Sequence, residues 1–246
     1  IAAAKKNQRI LAVGLLRRFY ANVQLTRQII GDKTLGDVKS FTFQEGGPFD
    51  WPARSSSFFR KKTAGGGVLL DLGVHVLDLV VHWFGEPQKL TYADDAMGGL
   101  EANCHIELAY DNGCRGTVQL SRDWRTSSLY IIECERGTLK LRAGVAEQME
   151  LLVNGASFTL DGTVKPTATA RPLSSAANFP QAFLAQLRDL ISAVQNGIAP
   201  AVPGEEGIRS LRLIERCYQS RSLMDMPWLT PPEKIASAQL AAKESP

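Results

Sequence analysis

Apolar and polar positions follow three different rhythms along this chain. At the start, residues 2–8 (AAAKKNQ) are good helix formers, and residues 10–16 (ILAVGLL) are a continuous apolar run suited to a strand buried on both faces. Residues 22–30 read as a helix, Leu35-Gly36 as a turn, and residues 38–43 (VKSFTF) alternate like a half-buried strand. Residues 44–62 break the pattern with aromatics, prolines, serines and arginines, as a long surface loop does. Gly65-Gly66-Gly67 then opens a strongly apolar stretch, residues 68–84, expected to form one central helix that stops at Gly85-Glu86-Pro87.

From residue 88 the period shortens to two. Seven short alternating segments follow, at 89–93, 102–110, 114–120, 128–133, 138–141, 149–153 and 157–160, with turn signals at Asp111-Asn112-Gly113, Arg136-Gly137 and Asn154-Gly155. They predict a large, mainly antiparallel sheet. Residues 166–175 form a polar connector, and two amphipathic helices, 179–196 and 205–221, are each long enough to cover the sheet. The Ala/Lys/Glu-rich tail, 231–246, is expected to lack structure. The fold class is therefore α+β, a broad open-faced sheet covered on one face by helices and preceded by a helix and a strand.

Composition narrows the function classes. With 44% hydrophobic residues the chain can bury a sizeable core, and a net charge of +3 with 22% charged residues supplies no basic block for nucleic acid or anionic membrane. Residues 68–84 are interrupted by Asp71, His75, Asp78 and His82, so no uninterrupted apolar run is long enough to span a bilayer. Four cysteines without C-x-x-C spacing look like buried free thiols, which favours a reducing cytoplasm. The first residue is Ile1 and the start reads as cut from something longer.

The chemistry concentrates in the central helix. Asp71, His75, Asp78 and His82 are spaced by four, three and four, which places them within an arc of roughly 60 degrees on one face. His75 is suited to accept and return a proton near neutral pH, with Asp71 one turn earlier to orient it; a structural use of the same pair fits the residues equally well. Asp78 and His82 read more readily as structural. A metal would need donors from a second cluster, and none is recognisable, so no metal is expected. The three glycines match neither phosphate-loop pattern and suit close packing at a helix start. Arg18 and Tyr20, directly after the apolar run, and Trp51, Arg54 and Arg60 in the long loop are candidate substrate contacts, with core or loop-anchoring uses as the alternative. His105 reads as a structural histidine.

In order and spacing, AAAKKNQRILAVGLLRRFY, LGDVKS, GGGVLLDLGVHVLDLVVHWFG and FPQAFLAQLRDLISAVQNGIAPAVPGEEGIRSLRLIERCYQSRS resemble the glucose-fructose oxidoreductase, inositol dehydrogenase and MocA family over about residues 1–228. The resemblance implies an NAD- or NADP-dependent oxidoreductase of sugars, sugar derivatives or polyols, with a nucleotide-binding Rossmann domain followed by a substrate domain that commonly forms oligomers. The family's aspartate and histidine fall on Asp71 and His75. Its upstream E-K-P lysine and Gly-rich fingerprint have no counterpart here, so the residues that would choose between NAD and NADP are absent too. On this reading residues 1–16 are the end of a Rossmann domain, 17–230 the substrate domain and 231–246 a tail, and the chain alone is expected to be inactive. Self-association through an apolar patch on the strands of residues 88–160 is expected. The alternative is a non-catalytic oligomerisation or carbohydrate-binding module.

Overall fold

A computed structural model describes residues 1–50, 52, 55–161 and 176–243. In chain order the elements are α1 (Ala2–Lys6), a 3₁₀ turn (Leu16–Phe19), α2 (Ala21–Gly31), β1 (Val38–Gly46), a second 3₁₀ turn (Ser56–Phe59), α3 (Lys61–Ala64), α4 (Val68–Asp71) and α5 (Gly73–Phe84). Seven strands follow: β2 (Lys89–Asp94), β3 (Asn103–Ala109), β4 (Arg115–Ser121), β5 (Leu129–Cys134), β6 (Gly137–Arg142), β7 (Gln148–Val153) and β8 (Ala156–Asp161). The chain closes with α6 (Phe179–Asn196), α7 (Gly204–Gln219), β9 (Arg221–Leu223) and α8 (Pro231–Lys243).

All nine strands join one sheet in the order β8-β7-β6-β5-β1-β4-β3-β2-β9. Neighbours are antiparallel except β1 with β4 and β2 with β9, which run parallel. The period-two pattern works as expected: Phe41, Phe43, Ile106, Val118, Leu120, Ile132, Leu139 and Leu141 are buried on one face beneath the helices. Phe41 lies across Gly116, where a Cβ would stand 2.0 Å from its ring, so only glycine fits that strand position.

The opposite face departs from expectation. It carries hydrogen-bonded polar pairs, Thr117 to Thr42 at 3.3 Å, Gln44 to Gln119 at 3.1 Å and Thr91 to Glu107 at 3.1 Å, instead of an apolar patch. A run of exposed apolar side chains lies on α6, where Phe179, Phe183, Leu184, Leu187, Ile191 and Val194 face outward. That helix buries Ala182, Ala185 and Ala193 and packs beside the Leu16–Phe19 turn, so it does not cover the sheet. The covering is done by α5, flanked by α2 and α7.

Three further expectations are corrected. Residues 10–16 form no strand; Ala12 makes a lone bridge to Pro203, and Val13 N–H donates to the Val202 carbonyl at 2.9 Å, because no described parallel strand lies beside this run. The stretch expected to be one helix is two, meeting at about 45°. At the junction His75 N–H bonds the Leu72 carbonyl three residues back, a tightened turn that breaks the regular ladder. The tail folds as α8: Glu233 accepts the Thr230 amide at 2.8 Å and its hydroxyl at 2.6 Å, and prolines fill the first helical turn, where their missing N–H costs nothing.

The glycine triplet does pack closely. A Cβ on Gly67 would stand 2.1 Å from the Glu101 carbonyl oxygen, and the Glu101 carboxylate accepts the amides of Gly67 (2.9 Å) and Leu69 (3.2 Å) at the start of α4. Glu101 is in turn held by Tyr218 at 2.8 Å and by Arg221 at 3.3 Å, and Arg221 reaches Asp94 at 2.6 Å. This buried ionic knot ties β9 to the root of the central helix. No single described helix is long and apolar enough to cross a membrane.

Candidate active site

Asp71 ends α4 and His75 lies in the first turn of α5, so the bend between the two helices sits inside the candidate pair. Both side chains are half-buried. The bend leaves Asp71 without the expected bond to the imidazole. Its Oδ2 instead accepts from Arg122, from Nε at 2.9 Å and Nη2 at 2.5 Å, and Asp71 acts on His75 through charge alone.

A second ion pair acts on the His75 ring by charge. Arg17 grips Glu45 with two parallel bonds of 2.7 Å each, and its Nη1 also donates to the Tyr130 hydroxyl at 2.8 Å. That hydroxyl donates in turn to Glu45. Burial pushes the Glu45 carboxyl up, but Arg17 and Tyr130 outweigh it and hold the group below the usual carboxylate value. Burial, reinforced by Arg17, lowers the His75 pKa below its ordinary 6.5, while Glu45 and Asp71 pull it back and Arg122 lowers it. The imidazole is therefore uncharged at neutral pH and free to accept a proton.

The strand pairing explains the convergence. β1 and β4 run parallel, with Glu45 opposite Leu120 and Gly46 opposite Ser121, so Glu45 and Arg122 emerge at the same sheet edge. The long loop is stitched to that edge: Gly47 N–H donates to the Ser121 carbonyl at 3.3 Å and Phe49 N–H to that of Arg122 at 3.0 Å. Phe49, Phe58 and Phe59 then cluster, with ring centroids 5.1 to 5.3 Å apart.

The other candidates are placed differently. Arg18 is buried, with Nε and Nη2 on Asp78 (2.7 to 3.2 Å) and Nη1 on Glu206 at 2.8 Å, so its donors are spent inside the protein and not on a cleft. Tyr20 is buried behind Arg17, beside a small cavity that Tyr130 and Arg142 also line. Arg60 is exposed at the N-terminal cap of α3. Trp51 and Arg54 lie outside the described residues. His82 meets Arg27 and not Asp78; burial, then Arg18, Arg27 and Arg209, drive its pKa down to about 2. His105 is part-exposed on β3, with Nε2 at 3.9 Å from Glu107. Among the described residues no group of three or more His, Cys, Asp or Glu side chains is arranged to hold a metal.

Sequence alone does not bring Arg17, Glu45, Arg122 and Tyr130 together. Glu45 reads as part of the loop, Arg17 is overshadowed by its neighbour Arg18, and only the parallel pairing of β1 with β4 brings Glu45 and Arg122 together.

Comparison with known proteins matches residues 27–224 to the pattern described as "Oxidoreductase family, C-terminal alpha/beta domain". The chain is 26% identical over 166 residues to D-apiose dehydrogenase of Paraburkholderia graminis, which covers 62% of this chain and 42% of that protein. It is 25% identical over 162 residues to trans-1,2-dihydrobenzene-1,2-diol dehydrogenase of Bos taurus, covering 63% and 46% respectively. The chain thus spans less than half the length of both relatives. Among solved structures, aldose-aldose oxidoreductase from Caulobacter crescentus complexed with glycerol superposes with a TM-score of 0.74 at 23% identity, covering 89% of this chain and 64% of that one. Levoglucosan dehydrogenase in complex with NADH and levoglucosan gives 0.73 at 16% identity, covering 89% and 66%. These two likenesses establish a shared fold.

Proposed function

The chain belongs to the Gfo/Idh/MocA family of oxidoreductases, and from that premise we propose that it is the substrate-binding part of a nicotinamide-dependent dehydrogenase acting on a sugar, sugar derivative or polyol. The observation that carries the reading is the setting of His75, a half-buried imidazole in the first turn of α5, four residues after Asp71, which Arg122 holds by two hydrogen bonds. His75 takes the hydroxyl proton as the carbon bearing it is oxidised, and returns it in the reverse direction. Asp71 steadies the imidazolium by charge, and Arg122 holds Asp71 in place.

The dinucleotide, NAD or NADP, does not fit the described residues of this chain alone. The close backbone approach offered by Gly67 is filled by the Glu101 carbonyl, where a phosphate would have to lie. We assign the dinucleotide to a separate nucleotide-binding unit, for which the outward apolar face of α6 is the available docking surface. Four unpaired cysteines suit a reducing, cytoplasmic setting.

The test is an assay of the chain joined to its nucleotide-binding unit against a panel of sugars and polyols with NAD and with NADP. Turnover that requires a dinucleotide and is lost in His75→Ala supports the reading. Full activity in His75→Ala would contradict it.

A further inference from the structure

Asp71 closes a helix of only four residues, and a single turn of helix does not hold itself in water. The three amides at its start are all taken by one residue. Glu101 accepts the Gly67 and Leu69 amides on its carboxylate Oε1 at 2.9 and 3.2 Å, and the Val68 amide on its backbone carbonyl at 2.9 Å. Gly67 carries the hold forward, its carbonyl accepting the Asp71 amide at 3.0 Å. The next residue holds the partner of Asp71. The Ala102 carbonyl accepts the Arg122 amide at 2.8 Å, one rung beyond the Asn103–Ser121 pair that joins the start of β3 to the end of β4. Arg122 Nε and Nη2 then close the circuit on Asp71 Oδ2.

Two consecutive residues thus fix the backbone on both sides of one ion pair. The Glu101 side chain is only 1% exposed, a costly place for a charge unless every lone pair is met. Tyr218 from α7 and Arg221 from β9 complete its bonding. The glycines let the parts close up, since a Cβ on Gly66 would stand 2.3 Å from the Tyr218 hydroxyl and one on Gly67 2.1 Å from the Glu101 carbonyl oxygen. Asp95 braces the segment from behind, its Oδ1 accepting the amides of Ala102 at 2.8 Å and Asn103 at 2.9 Å. We propose that Glu101 is a positioning residue for the reaction, buried away from substrate and acting by setting where the Asp71–Arg122 pair stands. The inference rests on the reading of Asp71 as the charge that steadies the His75 imidazolium.

The experiment has two readouts. In the chain alone, NMR follows the Arg122 Nε–H proton, which exchanges slowly with water while it is bonded to Asp71. Glu101→Ala frees the Gly67 and Leu69 amides and is expected to speed that exchange about 10-fold, toward the rate in Asp71→Asn. In the enzyme joined to its nucleotide-binding unit, Glu101→Ala should lower kcat by about 10- to 100-fold with KM little changed. In an Asp71→Asn background the same substitution should cost almost nothing further, because no carboxylate remains to be placed. Should Glu101→Ala fail to fold, Glu101→Gln keeps an acceptor oxygen but sets an amide N–H against Arg221, and smaller changes of the same kind are expected. An unmoved Arg122 proton beside a lowered melting temperature, or a kcat loss that adds in full to that of Asp71→Asn, would overturn the proposal and leave Glu101 purely structural. Neither result would touch the role of His75 itself, which fails only if His75→Ala keeps full activity in the assembled enzyme.

Discussion

The central helix carries two Asp/His pairs with the same four-residue spacing, and the protein treats them in opposite ways. At the first end Asp71 and His75 straddle a bend, stay half-buried, and face Arg122 and the Arg17–Glu45 pair. At the other end Asp78 is clamped by buried Arg18, and His82 lies against Arg27 with its pKa driven down to about 2 by burial and surrounding arginines. Identical spacing thus places the two imidazoles in different surroundings, the first acted on by charges of both signs and the second by arginines alone. What separates them is the sign of the neighbouring charges, set by distant parts of the chain.

The largest effect that would break this contrast is catalytic. In the enzyme assembled with its nucleotide-binding unit, His75→Ala is expected to lower kcat/KM by about 10²- to 10⁴-fold, the usual worth of a general base. His82→Ala should leave kcat/KM within a few-fold. Steady-state kinetics on the two variants checks both.

Stability should show the reverse order. Asp78→Ala leaves the buried Arg18 guanidinium with Glu206 where it had two carboxylates and is expected to cost about 3 kcal/mol, read as a lower denaturant midpoint. Asp71→Ala removes a partner from a pair that is partly open to water, at 31% and 22% exposure, and should cost at most about 1 kcal/mol. Equal losses at the two positions would contradict the division.

A smaller, pH-dependent effect sharpens it. An unfolded histidine binds a proton near pH 6.5, whereas folded His82 refuses one until about pH 2. The unfolded state therefore holds more protons in between, so stability falls as pH drops below about 6.5, by up to roughly 1.4 kcal/mol per pH unit for this one group. Above that pH the penalty vanishes. His82→Gln should flatten the acid side of a stability-versus-pH curve, measured by urea unfolding.

Much of this architecture is legible in local patterns. The alternation that marks β2 to β8 and the amphipathic period of α6 need only neighbouring residues to be read, whereas Asp71 and His75, expected on one helix face, lie on two helices either side of a bend. What is not legible depends on contacts between remote segments. The parallel pairing of β1 with β4 brings Glu45 beside Arg122, and Arg17 meets Tyr130 across 113 positions of chain. The anchoring of the start of α4 depends on Glu101, a residue beyond the helix altogether. The misplaced apolar patch has a similar cause: strand alternation shows that a sheet has two faces, but the exposed α6 face appears only once that helix is seen to lie away from the sheet.

The most direct measurement is an NMR pH titration of the unaltered chain, following the ring resonances of its three histidines. The account predicts that His75 titrates reversibly with a midpoint below 6.5, while His82 stays neutral until acid unfolds the protein. A freely titrating His82 beside a silent His75 would contradict it.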